Sequence, residues 1–208
     1  MGTATKILIG LVALAVIFGI YVVSSYNGLV GLQQATDAQW AQVQNVYQRR
    51  TDLVPNLVST VSGAANFEKS TLLAVTEARA SVGRAQLPAG TAPTDPSQLA
   101  AFQQAQGQLG TALSRLLVVS ERYPDLKATA GFRDLQAQLE GTENRIAVER
   151  GRFNEVVQAY DTAIRRFPAV LLAGALGFAP RPYFSATPGS DTPPKVQFDF
   201  GGAAPAKP

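Results

Sequence analysis

The residues able to do chemistry fall into two groups. Arg49, Arg50, Asp52 and Asn56 lie close together, with Asp125 brought near them by the chain reversals argued below. Glu140, Glu143, Asn144, Arg145, Glu149 and Arg150 follow one another on a later segment. Carboxylates on facing helices can hold a metal, but di-iron bundles do so with Glu-x-x-His motifs. The sequence contains no His and no Cys. That excludes imidazole acid–base catalysis, thiolate nucleophiles and Cys/His zinc sites. Ser59, Ser62 and Ser70 lack a His base and sit in neither a Gly-x-Ser-x-Gly nor a Ser-x-x-Lys setting. No phosphate loop, dinucleotide fingerprint or HExxH motif occurs. The reading is a non-enzymatic protein with no catalytic residue, cofactor or metal.

The polar groups are then expected to hold shape. Asp52 reads as a helix N-cap, with Pro55 in the first turn, where its missing N–H has no partner to lose. Glu143 and Asn144 read as a buried polar layer fixing helix register, with Arg79 or Arg50 as partner. Arg145, Glu149, Arg150 and Arg152 read as a solvated face with i,i+4 pairs. The net charge is +3, and the only close cation pairs named are Arg49-Arg50 and Arg165-Arg166. Nucleic-acid binders concentrate their cations in a patch, so no nucleic-acid partner is expected.

Helices must position these groups. Ile7 to Val23 carries no charge and follows Lys6, and its length is near the minimum for a membrane span, with Tyr21 and Tyr26 at an interface. A cleaved signal peptide is the alternative; the long apolar run and the helical pattern continuing past Tyr26 favour a retained anchor over residues 1–25. Lys6 alone near the span favours a cytoplasmic N-terminus and an extracytoplasmic body. Apolar spacing then predicts four helices over residues 26–168. The first carries Leu29, Leu32, Trp40, Val43 and Tyr47, with Asn27-Gly28 as a joint to the anchor. The second runs from about Asp52 to Gln86. A Pro/Gly-dense loop, Leu87–Pro96, precedes a third helix capped by Asp95-Pro96, which stops before Tyr123-Pro124. The fourth, with Phe132, Leu139, Ile146, Phe153, Val157, Tyr160 and Ile164, has coiled-coil-like spacing suited to bundle packing and ends at Phe167-Pro168. Residues 169–179 are apolar but too short to span a bilayer, and 180–208 read as a disordered tail.

The segments Arg49 to Val58 (RRTDLVPNLV), Glu121 to Lys127 (ERYPDLK) and Gly141 to Ala147 (GTENRIA) stand in order. With Tyr26 to Val30, Trp40 and the Phe167-Pro168 step, they resemble the signature of the bacterial LemA family. The resemblance implies a membrane-anchored antiparallel helical bundle, and some LemA-like proteins belong to magnetosome membranes. Where many relatives carry His before the Glu of the second helix, this chain has Phe67 before Glu68.

Together these readings give an all-α protein, an N-terminal transmembrane helix continuing into an antiparallel four-helix bundle with long helices. Counting reversals puts Arg49, Arg50, Asp52, Pro55, Asn56, Tyr123, Pro124 and Asp125 at the far tip, as the interaction surface. It puts the Leu87–Pro96 loop and residues 169–179 at the membrane end. There Lys6, Tyr21, Tyr26, Arg165, Arg166, Phe167, Leu171, Leu172, Leu176 and Phe178 are membrane-proximal, with Arg181 also at headgroup level. A fold-back of the apolar segment onto the bundle core is the alternative. The expected function is a single-pass scaffold of the bacterial inner membrane that self-associates as a homo-oligomer, with membrane lipid as a partner, and organises or remodels the bilayer. An adaptor for an envelope enzyme, such as a membrane protease, is the alternative, the tip then docking an envelope protein.

Overall fold

The computed structural model describes residues 2–64 and 67–185. The chain is all-α, with no strand among the described residues: α1 Thr3–Ser62, α2 Lys69–Arg84, α3 Pro96–Ser120, α4 Pro124–Ala128, α5 Ala130–Arg165 and α6 Val170–Ala173. At 1.5 Å per residue the 60-residue α1 is about 90 Å long, and the 36-residue α5 about 54 Å. The 16-residue α2 and 25-residue α3 are much shorter. Accordingly α1 lies along α5 and α2 along α3, and α1 meets α2 near the corner between them.

The corner is not where the sequence puts it. Residues 49–56 form no turn, because α1 continues through Pro55 to Ser62, and the reversal falls between Gly63 and Glu68. Asp52 is therefore no N-cap; it is mid-helix and accepts from Gln48 Nε2 at 2.7 Å. Asn27-Gly28 is no joint either, since the helix passes through it unbroken. The start of the third helix is as read. Asp95 caps α3 by accepting from Ser97 N at 2.8 Å, with Pro96 in the first turn. Thr129 caps α5 through Phe132 N.

Three apolar clusters stack along the rod. The farthest from the N-terminus joins the end of α1 to α2, α3, α4 and the start of α5 through Leu57, Val61, Val75, Leu109, Leu116 and Phe132. The middle one surrounds Trp40, which has no exposed surface and packs on Phe102, Phe153 and Phe184 with ring centroids 5.5 to 6.0 Å apart. Such aromatic pairs add roughly 0.5–1.5 kcal/mol each beyond the area they bury. The third joins Leu29 to Tyr160, Ile164, Ala173 and Phe178.

Because α2 and α3 are short, they leave the lower part of the α1/α5 pair uncovered, and the C-terminal segment covers it. Gly177 (φ +84°) takes a left-handed conformation that glycine adopts without steric cost, and residues 178–185 then run back along α5. Tyr160 Oη donates to Ala179 O at 3.1 Å, Arg181 N donates to Asp161 Oδ1 at 3.1 Å, and Asn154 exchanges two bonds of 2.9 Å with the Phe184 backbone. The disordered tail expected from 180 onward is thus corrected for 180–185; residues 186–208 lie outside the described residues. The Leu87–Pro96 loop also moves. Gln44 Nε2 donates to Leu87 O and Pro88 O, and Asp37 accepts from Ala92 N. That holds the loop beside the middle of the rod, its nearest tie about 16 Å beyond Tyr26 along α1, rather than at the membrane end.

Candidate functional site

Arg50 is the most confined charge among the described residues of α1. It is 4% exposed, and its guanidinium joins three helices. Nη1 pairs with Glu143 Oε1 of α5 at 2.6 Å; Nη2 donates to Gln106 O of α3 at 2.9 Å and to the Gln106 side-chain oxygen. Its carbon also lies 5.3 Å from the Tyr47 ring centroid. Arg50 Nε has no hydrogen-bond partner. The planar fork of arginine holds such acceptors in a fixed geometry, which the freely rotating ammonium of lysine does not.

Glu143 does reach Arg50, as one reading of the sequence had it. The buried polar layer of Glu143 and Asn144 is nevertheless a correction. The Glu143 side chain is 51% exposed and Asn144 faces solvent. The polar residues actually buried at this level are Arg50, Gln106, Thr51 and Thr142. Arg79 does something else. Pro55 has no N–H, so the Thr51 carbonyl four residues earlier loses its helical donor; Arg79 Nε of α2 supplies one at 3.4 Å. This third-party bond offsets part of what a mid-helix proline costs, and sequence spacing gave no sign of it.

The expected tip divides in two. Arg49, Asp52, Pro55 and Asn56 lie on the exposed side of α1, more than a helical turn short of its end. The true tip joins the Gly63–Glu68 corner to the α3–α4 turn. Phe67 and Tyr123 stack there at 4.9 Å, and Arg122 pairs with Glu68 at 3.0 Å. Pro124 and Asp125 are exposed beside a cleft of about 700 Å³ lined by Thr60, Ala64, Tyr123, Leu126 and Thr129. A second cleft, of about 600 Å³, opens between α3 and α5 over Arg50, Gln103, Glu143 and Arg150.

Toward the base, a second buried polar cluster went unread in the sequence. Arg181 is 6% exposed. It donates to Ala92 O, and its Nη2 lies 3.9 Å from Asp37 Oδ1. It ties the C-terminal segment, the 87–96 loop and α1 together, and so is not at headgroup level. Arg150 likewise leaves the solvated face assigned to it. It donates to Ser185 O at 2.8 Å and sits 4.9 Å from the Phe184 ring. Burial pushes the Tyr47 phenol above its ordinary pKa, opposed by Arg150 and Arg50, and burial does the same at Tyr160 against Arg181.

Every described residue from 2 to 20 is exposed, Lys6 included, and packing begins at Tyr21. Tyr26 meets Phe178 edge-on at 5.6 Å, which brings the end of the apolar 169–179 segment to the top of the anchor. That segment is two-sided. Ala173 and Phe178 are buried and Leu172 and Leu176 half-buried, whereas Leu171 is exposed, as are Phe167, Arg165 and Arg166. No group of His, Cys, Asp or Glu suited to a metal occurs among the described residues. The contacts of Arg50, Arg79 and Arg181 tie helices and the C-terminal segment to one another.

The LemA family profile matches residues 39–198, most of the chain. The chain belongs to the LemA family. Among its relatives are the magnetosome protein MamQ of Magnetospirillum gryphiswaldense and magnetosome proteins MamQ 1 and MamQ 2 of Paramagnetospirillum magneticum. Each is 29% identical over 183 residues, covering 81% of this chain and 67% of the relative. Within this LemA-family fold the motif residues at 49–58 serve the interior of α1, and those at 121–127 form the tip.

Proposed function

We propose that this LemA-family chain is a non-enzymatic, single-pass scaffold of the bacterial cell membrane that self-associates and organises or reshapes the bilayer, its body on the extracytoplasmic side. One observation carries the reading: α1 is a single helix from Thr3 to Ser62. Its N-terminal part is apolar and unburied, with an 18-residue window suited to a membrane crossing. Its remainder is the spine of the packed body. A span and a rod that share one helix cannot swivel independently, so contacts between rods become torque on the anchors. The relatives' names as magnetosome proteins agree with such a role.

The test is a flexible Gly-Ser insertion between Asn27 and Gly28, with the protein reconstituted into liposomes. The native chain is expected to form oligomers by mass measurement in detergent and to alter liposome shape. The insertion variant should still fractionate with membrane and yet leave liposomes unaltered. A native protein that is strictly monomeric and leaves liposomes unchanged overturns the proposal.

The distal cleft favours a second reading, an adaptor for an envelope enzyme such as a membrane protease. Asp125→Arg should then abolish partner co-purification while self-assembly persists.

A further inference from the structure

We propose that the outer face of the α6 turn is a second membrane contact, a shallow wedge that enters the headgroup layer of an anionic bilayer beside the anchor. The proposal deepens the scaffold reading and rests on α1 crossing the membrane. Phe167 is 75% exposed, Leu171 70% and Val170 47%. Three large apolar side chains within five residues are a surface that a protein in water alone would bury. They are not spare core, because the opposite side of the same segment, Ala173 and Phe178, already packs on Leu29, Tyr160 and Ile164.

Position and charge together select the occupant. Phe178 touches Tyr26, and every residue of α1 from Thr3 to Ile20 is bare. The wedge therefore lies where the packed body gives way to the anchor, and the bilayer that takes the anchor is already beside it. Arg165 and Arg166 are both exposed. Arg166 makes no ion pair among the described residues, and Arg165 holds only a 3.5 Å contact to the buried Asp161. From Thr162 to Ser185 the sequence has no Asp or Glu. Apolar side chains flanked by exposed cations, here one unpaired and one in a single long ion pair, are the pattern of interfacial segments that prefer anionic lipid, and each cation near such a surface favours it roughly fivefold.

The absence of cysteine makes single-site labelling of the full chain direct. A fluorophore would be placed in turn at Leu171→Cys, at Phe18→Cys in the anchor and at Val118→Cys, which is 68% exposed near the far end. Each protein would be reconstituted into phosphatidylcholine vesicles with or without phosphatidylglycerol, carrying quenchers at shallow or deep positions. Quenching at 171 by shallow but not deep lipid, at 18 by deep lipid, and at 118 by neither is the expected result. Phosphatidylglycerol should raise the shallow quenching at 171, inorganic phosphate should not, and Arg165→Gln with Arg166→Gln should remove most of the gain. A label at 18 that is quenched while that at 171 is not overturns the wedge and leaves the anchor standing. Failure at 18 overturns the anchor itself. Equal quenching with and without phosphatidylglycerol overturns the anionic preference. Shielding at 171 that follows protein concentration rather than lipid makes this face a contact between copies and overturns the lipid assignment.

Discussion

Arg79 of α2 donates to the carbonyl of Thr51 on α1, the one carbonyl that Pro55 deprives of its helical N–H. The bond explains how a proline sits inside a helix at the point where two helices must stay in register. It predicts a coupling. Arg79→Ala should destabilise the native chain by about 1 kcal/mol, the usual net worth of such a bond. In a Pro55→Ala background, where residue 55 supplies its own N–H, the same change should cost close to nothing. Thermal unfolding of the four proteins of this cycle in detergent, followed by circular dichroism, measures it; equal costs in both backgrounds would contradict the assignment.

Arg50 should tolerate no substitute. Lysine keeps the charge but lacks the fixed planar fork that reaches Glu143 and Gln106 in this geometry, and alanine leaves a gap and the buried Gln106 side-chain oxygen without its donor. Both changes are expected to lower stability, alanine by about 1–3 kcal/mol, the cost of an unsatisfied buried acceptor, and lysine by less. Glu143→Gln should cost less than Arg50→Ala, because Glu143 is half in solvent. Denaturant midpoints for the three variants give the ranking.

These two residues also mark how far the sequence could be read. The Trp40, Val43, Tyr47 face, the Asp95-Pro96 start of α3 and the long apolar stripe of α5 were legible because period and caps are local signals. The pairing of Arg50 with Glu143 was among the expected options. The continuation of α1 through Pro55 was not, since local preference for a break there is outweighed by burial of Leu53, Val54 and Leu57 and by a donor from another helix. No local signal in the sequence singles out Gln106, whose role depends on Arg50 arriving from another helix. Residues 180–185 read as tail because Pro and Gly near them suppress any period. What orders them is Arg181 and Phe184 finding partners as distant in sequence as Asp37 and Trp40.

Phe184 stacks on Trp40 at an interplanar angle of 24°, and Trp40 is the only tryptophan in the chain. Phe184→Ala should therefore open the middle cluster and report on itself. A loss of about 3 kcal/mol is expected for removing a buried ring, together with a red-shifted Trp40 emission and faster proteolysis after Tyr183. Unchanged fluorescence would mean the segment does not cover Trp40 in solution.

Alkaline pH gives the last test. Burial raises the pKa of the Tyr47 phenol above its ordinary value, and that of Tyr160 in the same direction. A phenol whose folded pKa is raised binds its proton more tightly in the native state than in the unfolded chain. Its contribution is complete below the unfolded pKa and is lost as pH rises through the folded value. Stability should thus hold steady through neutral pH and fall above about 10. Tyr47→Phe and Tyr160→Phe, which keep the ring but have nothing to ionise, should each flatten part of that fall. Unfolding midpoints measured across the alkaline range check this, and a fall of equal slope in the native chain and both variants would place the titrating group elsewhere.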